Sequence, residues 1–147
     1  MKLQELLIDR GIDINETKLI RHNIKNEFVA TSLLLGHFDI YQAIMRCKRY
    51  KNCKYILSFL SDKGTSAKFY GFYKVNGYKP FQKDQLPKNY PIEDINNAIR
   101  AGKVFWEIKK LDILSEIENK LIIEWGNSTR AWIQYAVNEK EIICILP

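Results

Sequence analysis

Near the end of the sequence, Leu121-Ile-Ile-Glu-Trp-Gly-Asn-Ser-Thr-Arg-Ala-Trp132 sets Trp125 and Trp132 on either side of a turn at Gly126-Asn127 and of Arg130. A strand that ends on one indole and resumes at another after an arginine builds an aromatic wall beside a cation. Nucleic-acid bases stack on such walls for roughly 1–3 kcal/mol each. Arginine pairs bidentately with a guanine edge or a phosphate. The plainer use of the same residues is structural: one Trp in the core, the other a lid over it, and Arg130 answering a carboxylate such as Glu124. A second piece, Arg46-Cys-Lys-Arg-Tyr-Lys-Asn-Cys-Lys54, packs five positive charges (Arg46, Lys48, Arg49, Lys51 and Lys54) into nine residues. Such a cluster attracts a polyanion and gives salt-sensitive affinity through counterion release. A solvated lysine-rich surface reads the same way. Leu19-Ile-Arg-His22 ends an alternating run on Arg21 and His22, two groups able to reach a phosphate or a base. Gln42 carries an amide of the kind that reads an adenine edge.

A rival chemistry is metal-assisted hydrolysis. Pro91-Ile-Glu-Asp94 followed by Glu107-Ile-Lys109 has the outline of a PD-(D/E)xK-like site, in which Asp94 and Glu107 hold magnesium and Lys109 orients water. Glu-x-Lys is common by chance in a lysine-rich chain, and Asp94 falls in a helical stretch. Zinc is disfavoured: Cys47 and Cys53 with His22 or His37 lack the usual ligand spacing. The reading therefore implies no cofactor and no metal. A third use, binding another protein without nucleic acid, would draw on an apolar patch around Tyr78–Phe81.

Composition places the chain among globular domains, with 46% hydrophobic and 27% charged residues over 147 positions. Its net charge of +6 is uneven. Residues 1–80 hold 14 Lys and Arg against 7 Asp and Glu, whereas residues 81–147 hold 9 against 10. No apolar run suits a membrane span and the opening is not a signal peptide, so a cytoplasmic location without a membrane partner is expected. Three cysteines are then reduced thiols, Cys144 in a strand core.

The elements that must position these groups follow from periodicity and punctuation. Helices are expected at Leu3–Arg10, stopped by Gly11, at Glu27–Leu35, closed by Gly36, and at Phe38–Cys47 and Ile92–Ala101. Strands are expected at Lys18–Arg21, Tyr55–Leu60, Ala67–Val75, Val104–Lys109, Leu121–Trp125 and Glu141–Leu146, with a helical turn in Asp112–Asn119. Arg130–Val137 suits helix or strand. The stretch Asn76–Pro91 reads as a loop punctuated by Gly77, Pro80, Pro87 and Pro91. Along Lys68–Val75, simple alternation puts Phe69, Gly71 and Tyr73 on one face and Tyr70, Phe72 and Lys74 on the other, and Gly71 admits a close approach. The sum is one α+β domain, 1–147, with a small bent sheet or barrel of five to six strands and flanking helices.

Lys68-Phe-Tyr-Gly-Phe-Tyr-Lys-Val75, after Tyr55-Ile-Leu-Ser-Phe59, resembles the central strand pair of PUA-like barrels of the EVE and ASCH type. More broadly, Leu19-Ile-Arg-His22, Phe38-Asp-Ile-Tyr-Gln42, the Gly64–Val75 segment and Leu121–Gln134 together resemble the N-terminal recognition region of bacterial GIY-YIG nuclease-family proteins. The nuclease motif itself is not matched, since Gly71-Phe-Tyr73 has no Tyr-Ile-Gly partner. The resemblance implies a non-catalytic DNA-recognition module in restriction or phage defence, reading duplex DNA with a modified or flipped base. Its partner would be a nuclease domain in cis or trans. Arg21, His22, Gln42, Arg46, Lys48, Arg49, Lys51, Lys54, Trp125, Asn127, Arg130 and Trp132 are the expected contacts.

Overall fold

The computed structural model describes residues 1–62, 64–126 and 132–147. Among the described residues it holds five α-helices and an eight-stranded mixed sheet that curls into a half-barrel, so the α+β expectation with a bent sheet holds, with more strands than expected. In chain order these are α1 (Leu3–Asp9), β1 (Thr17–Asn23), α2 (Glu27–Leu34), α3 (Phe38–Ala43), β2 (Ile44–Met45), α4 (Cys47–Tyr50), β3 (Tyr55–Ser61) and β4 (Ser66–Lys79). Then follow α5 (Ile92–Arg100), β5 (Val104–Lys110), β6 (Leu121–Glu124), β7 (Ile133–Tyr135) and β8 (Ile142–Ile145). The ambiguous stretch near residue 134 is thus a strand, paired antiparallel with β1.

β4 is the spine of the sheet. It pairs antiparallel with β3, with β5 through its C-terminal half, and with β6 at Ser66–Lys68. β3 pairs in parallel with β1, so the chain between them must cross over, and that crossover carries α2, α3, β2 and α4. Two irregularities in β4 correct the sequence reading. Ser58 faces Gly71 while Phe59 faces Phe69, which leaves Tyr70 as an extra residue. The bulge shifts the alternation: Phe69 and Phe72 enter one core, and Tyr70 and Tyr73 the other. A second shift between Val75 and Tyr78 coincides with Gly77 at φ 115°, a conformation glycine adopts without steric cost. The strand therefore continues to Lys79 through residues whose glycine and polar character had suggested a loop. Gly71 does admit a close neighbour: a Cβ there would stand 2.9 Å from Lys110 Cε, whose ammonium lies over Tyr70 and pairs with Glu118.

Both sheet faces are apolar. Leu3 and Leu7 of α1 press on Leu19, Leu57, Phe59, Phe69 and Phe72 on one side, and Tyr50 and Trp106 pack with Ile20, Ile56 and Tyr73 on the other. Fully burying each such side chain is worth about 1.5–3 kcal/mol. The expected helix Phe38–Cys47 is broken. It stops at Ala43 because Ile44 and Met45 pair with Phe105 and Val104 of β5, and it restarts one turn later as α4. The Tyr50 hydroxyl donates to the Gln42 carbonyl, giving that helix end a partner. Cys144, expected in the core, is exposed on β8.

Trp125 is 1% exposed and belongs to the α1-side core, against Phe59. Trp125→Ala is therefore expected to lower the unfolding free energy by about 3–5 kcal/mol in urea denaturation. A loss below about 1 kcal/mol would return Trp125 to the surface.

Candidate nucleic-acid interface

The break in the crossover determines where the basic cluster points. Arg46 stands extended between β2 and α4, and Arg49 sits on α4 with its guanidinium 4.9 Å from the Trp132 ring centroid. Lys18, nearly buried on β1, donates from Nζ to the carbonyls of Arg49 and Lys51 at 3.0 Å each, fixing the end of α4 against the sheet. Trp132, half-buried, is held where its carbonyl accepts the Arg21 backbone N–H at 2.8 Å. Lys103 comes up beside them from the turn that enters β5. Met45, Arg46, Arg49, Lys103 and Trp132 line one recess of 220 Å³. It adjoins a cavity of 390 Å³ lined by Arg21, His22, Asn23, Asn26, Val29, Tyr41, Lys103 and Trp132.

Three cations thus crowd one indole. Burial lowers the pKa of the Lys103 ammonium; Asp94 opposes that shift, and Arg46 and Arg49 add to it. Among the described residues none of Arg46, Arg49 and Lys103 forms an ion pair; the cations that do are Lys2, Arg10, Lys25, Lys54 and Lys110. Lys54 pairs with Glu16 at 3.0 Å, away from the recess lining. Lys48 and Lys51 are exposed. Lys48 and Arg49 line a neighbouring hollow with Lys18, Gln134 and Tyr135.

Other sequence-nominated residues are placed differently. His22 is 5% exposed, packed edge-on against Phe38 and Tyr41, and its Nε2 donates to Gln42 Oε1 at 3.2 Å. Gln42 is fully buried, and the same oxygen accepts from Ser58 Oγ, so the amide serves the interior and not a base edge. Burial pushes His22 down to about 4, with the Gln42 bond opposing. It is neutral at physiological pH and no phosphate clamp. Arg21 lies over the buried Trp125 ring at 5.7 Å, so Trp125 cannot join Trp132 in the expected stacking wall. Asn127 and Arg130 lie outside the described residues.

Asp94, on α5, lines a cavity with Tyr41, Tyr90, Asn97 and Lys103, where burial raises its pKa. Glu107 and Lys109 are exposed on β5 and do not line that cavity. Among the described residues no three His, Cys, Asp or Glu side chains cluster closely enough to share a metal ion. Sequence reading missed Lys103, whose only signal is a cation between a Gly102 turn and an apolar strand, and Lys18, hidden in an alternating run. No helix among the described residues is long and apolar enough to cross a membrane.

The chain matches no protein-family model and no solved structure. A 73-residue stretch, 50% of the chain, is 37% identical to a 2,3-bisphosphoglycerate-dependent phosphoglycerate mutase of Buchnera aphidicola subsp. Cinara cedri, of which it covers 30%. The chain thus matches less than a third of that relative's length.

The depressed His22 pKa has a signed consequence. The unfolded chain takes up a proton near pH 6.5 and the folded chain only near pH 4, so stability is retained above 6.5 and lost as pH falls through that window. Wild type should lose about 3 kcal/mol more than a His22→Asn variant between pH 6.5 and 4. The His22 ring resonances should titrate near pH 4. A midpoint near 6.5 would contradict the burial.

Proposed function

We propose that this chain is a non-catalytic DNA-binding module whose contact face is Arg46, Lys48, Arg49, Lys51, Lys103 and Trp132. The observation that carries the reading is the concentration of Arg46, Arg49 and Lys103, none of them in an ion pair among the described residues, around one half-buried indole, on a domain of net charge +6. Cations supply affinity for phosphates in proportion to the counterions they displace, and an accessible aromatic ring adds base stacking. The resemblance to regions preceding GIY-YIG nuclease domains supports a role in target recognition for a nuclease acting in cis or trans, in restriction or phage defence. The mutase relative's name points elsewhere, to a small phosphorylated acid. If this chain follows that name, 2,3-bisphosphoglycerate and not DNA will raise its Tm.

Binding of a 20-base-pair duplex between 50 and 200 mM salt tests the proposal. Removing three cations with Lys48→Ala, Arg49→Ala and Lys51→Ala together should reduce the log–log salt slope by about 3, roughly one per phosphate contact. An unchanged slope would move the interface off this face, and absence of duplex binding at 50 mM salt would overturn the reading.

A further inference from the structure

The recess is concave, and interior phosphates of a duplex lie on a convex surface. A 220 Å³ hollow walled by Arg46, Arg49 and Lys103 suits a group that projects on a rotatable bond. Charge points the same way. A phosphodiester carries one negative charge, whereas a phosphomonoester carries about 1.5 to 2 near neutral pH with three strong acceptor oxygens. Guanidinium forks and an ammonium that form no ion pairs among the described residues match those oxygens. Arg46 and Arg49 repel the partly buried Lys103 ammonium, which Asp94 offsets, and a dianion in the recess would relieve the repulsion among the three cations.

The adjoining cavity has a different character. At 390 Å³ it falls in the roughly 300–1,000 Å³ range of small-ligand sites. Arg21 and Lys103 reach its lining, Asn23, Asn26 and Tyr41 add polar groups without formal charge, and Trp132 borders both spaces. It is sized for one nucleoside. We propose that the Arg46–Arg49–Lys103 recess binds a terminal phosphate monoester, with the attached nucleoside seated in the adjoining cavity against Trp132. The nucleoside half rests on the nucleic-acid reading above; the phosphate half does not.

Oligonucleotides of one sequence, single-stranded and duplex, carrying 5′-phosphate, 3′-phosphate or only hydroxyl ends, test the proposal at 0.15 M salt. A phosphorylated end should bind about tenfold tighter than the hydroxyl-ended strand. Lys103→Met, which keeps the aliphatic stem, and Arg49→Gln should erase that ratio, whereas Lys103→Arg and Lys120→Ala should preserve it. Equal binding of phosphorylated and hydroxyl ends, or a ratio that survives Lys103→Met, overturns the proposal; duplex binding that persists then leaves the DNA reading standing. Inorganic phosphate and thymidine 5′-monophosphate are run as thermal-shift arms. Stabilisation by either that is lost in Lys103→Met, without binding of any oligonucleotide, upholds the phosphate site and removes the DNA reading.

Discussion

β4 must satisfy two hydrogen-bonding edges and two apolar faces at once. Over fourteen residues it bonds β3 on one side and both β5 and β6 on the other. A strand this long twists strongly, and a flat one could not also cover cores on both faces. The extra residue at Tyr70 resolves the conflict: it lets Phe69 and Phe72 serve the α1-side core while Tyr70 and Tyr73 turn to the side that carries α3 and α4. The Tyr73 hydroxyl then reaches Asp39 of α3 at 2.6 Å, tying the crossover to the sheet. The candidate site exists because that tie, the β2–β5 pairing and the Tyr50–Gln42 bond hold the crossover in one place.

The crossover divides its polar residues between two tasks. Gln42, with His22 and Ser58, forms an interior network that contributes a fixed geometry and requires neutrality. A few residues on, Arg46 and Arg49 emerge beside Lys103; among the described residues none of the three forms an ion pair, and Asp94 is the carboxylate that acts on Lys103. Elsewhere Lys54 pairs with Glu16 and Lys110 with Glu118, although other exposed lysines, such as Lys109 and Lys120, form no ion pair among the described residues. The ammonium of Lys18, spent on backbone carbonyls, positions the cluster without adding to it.

Much of the fold was legible in the sequence because the signals were local. Gly11, Gly36 and Gly102 all take positive φ just after helices, and the Tyr55–Val75 hairpin reads directly from its aromatic runs. What escaped was set by tertiary pairing. Nothing local distinguishes Ile44-Met45 as the end of a helix from Ile44-Met45 as a two-residue strand; only β5 decides. The bulge at Tyr70 is likewise invisible, since both alternations of Lys68–Val75 are apolar. At the site, the Arg46–Arg49 cluster was readable as charge density, whereas Lys103 lies more than fifty residues away and joins it only in three dimensions. Trp125 and Trp132 looked equivalent by spacing. Core packing takes the first, and the second stays half-buried under Arg49.

The most direct test of the account is a nuclear magnetic resonance titration of the isotopically labelled chain with a 12-base-pair duplex at 0.15 M salt. The account predicts saturable shifts concentrated at residues 45–51, at Lys103 and at the Trp132 indole N–H, with the interior His22–Gln42 network little changed. Shifts centred on another surface, such as the exposed apolar strand Ile142–Ile145, or no saturable shifts at all, would contradict it.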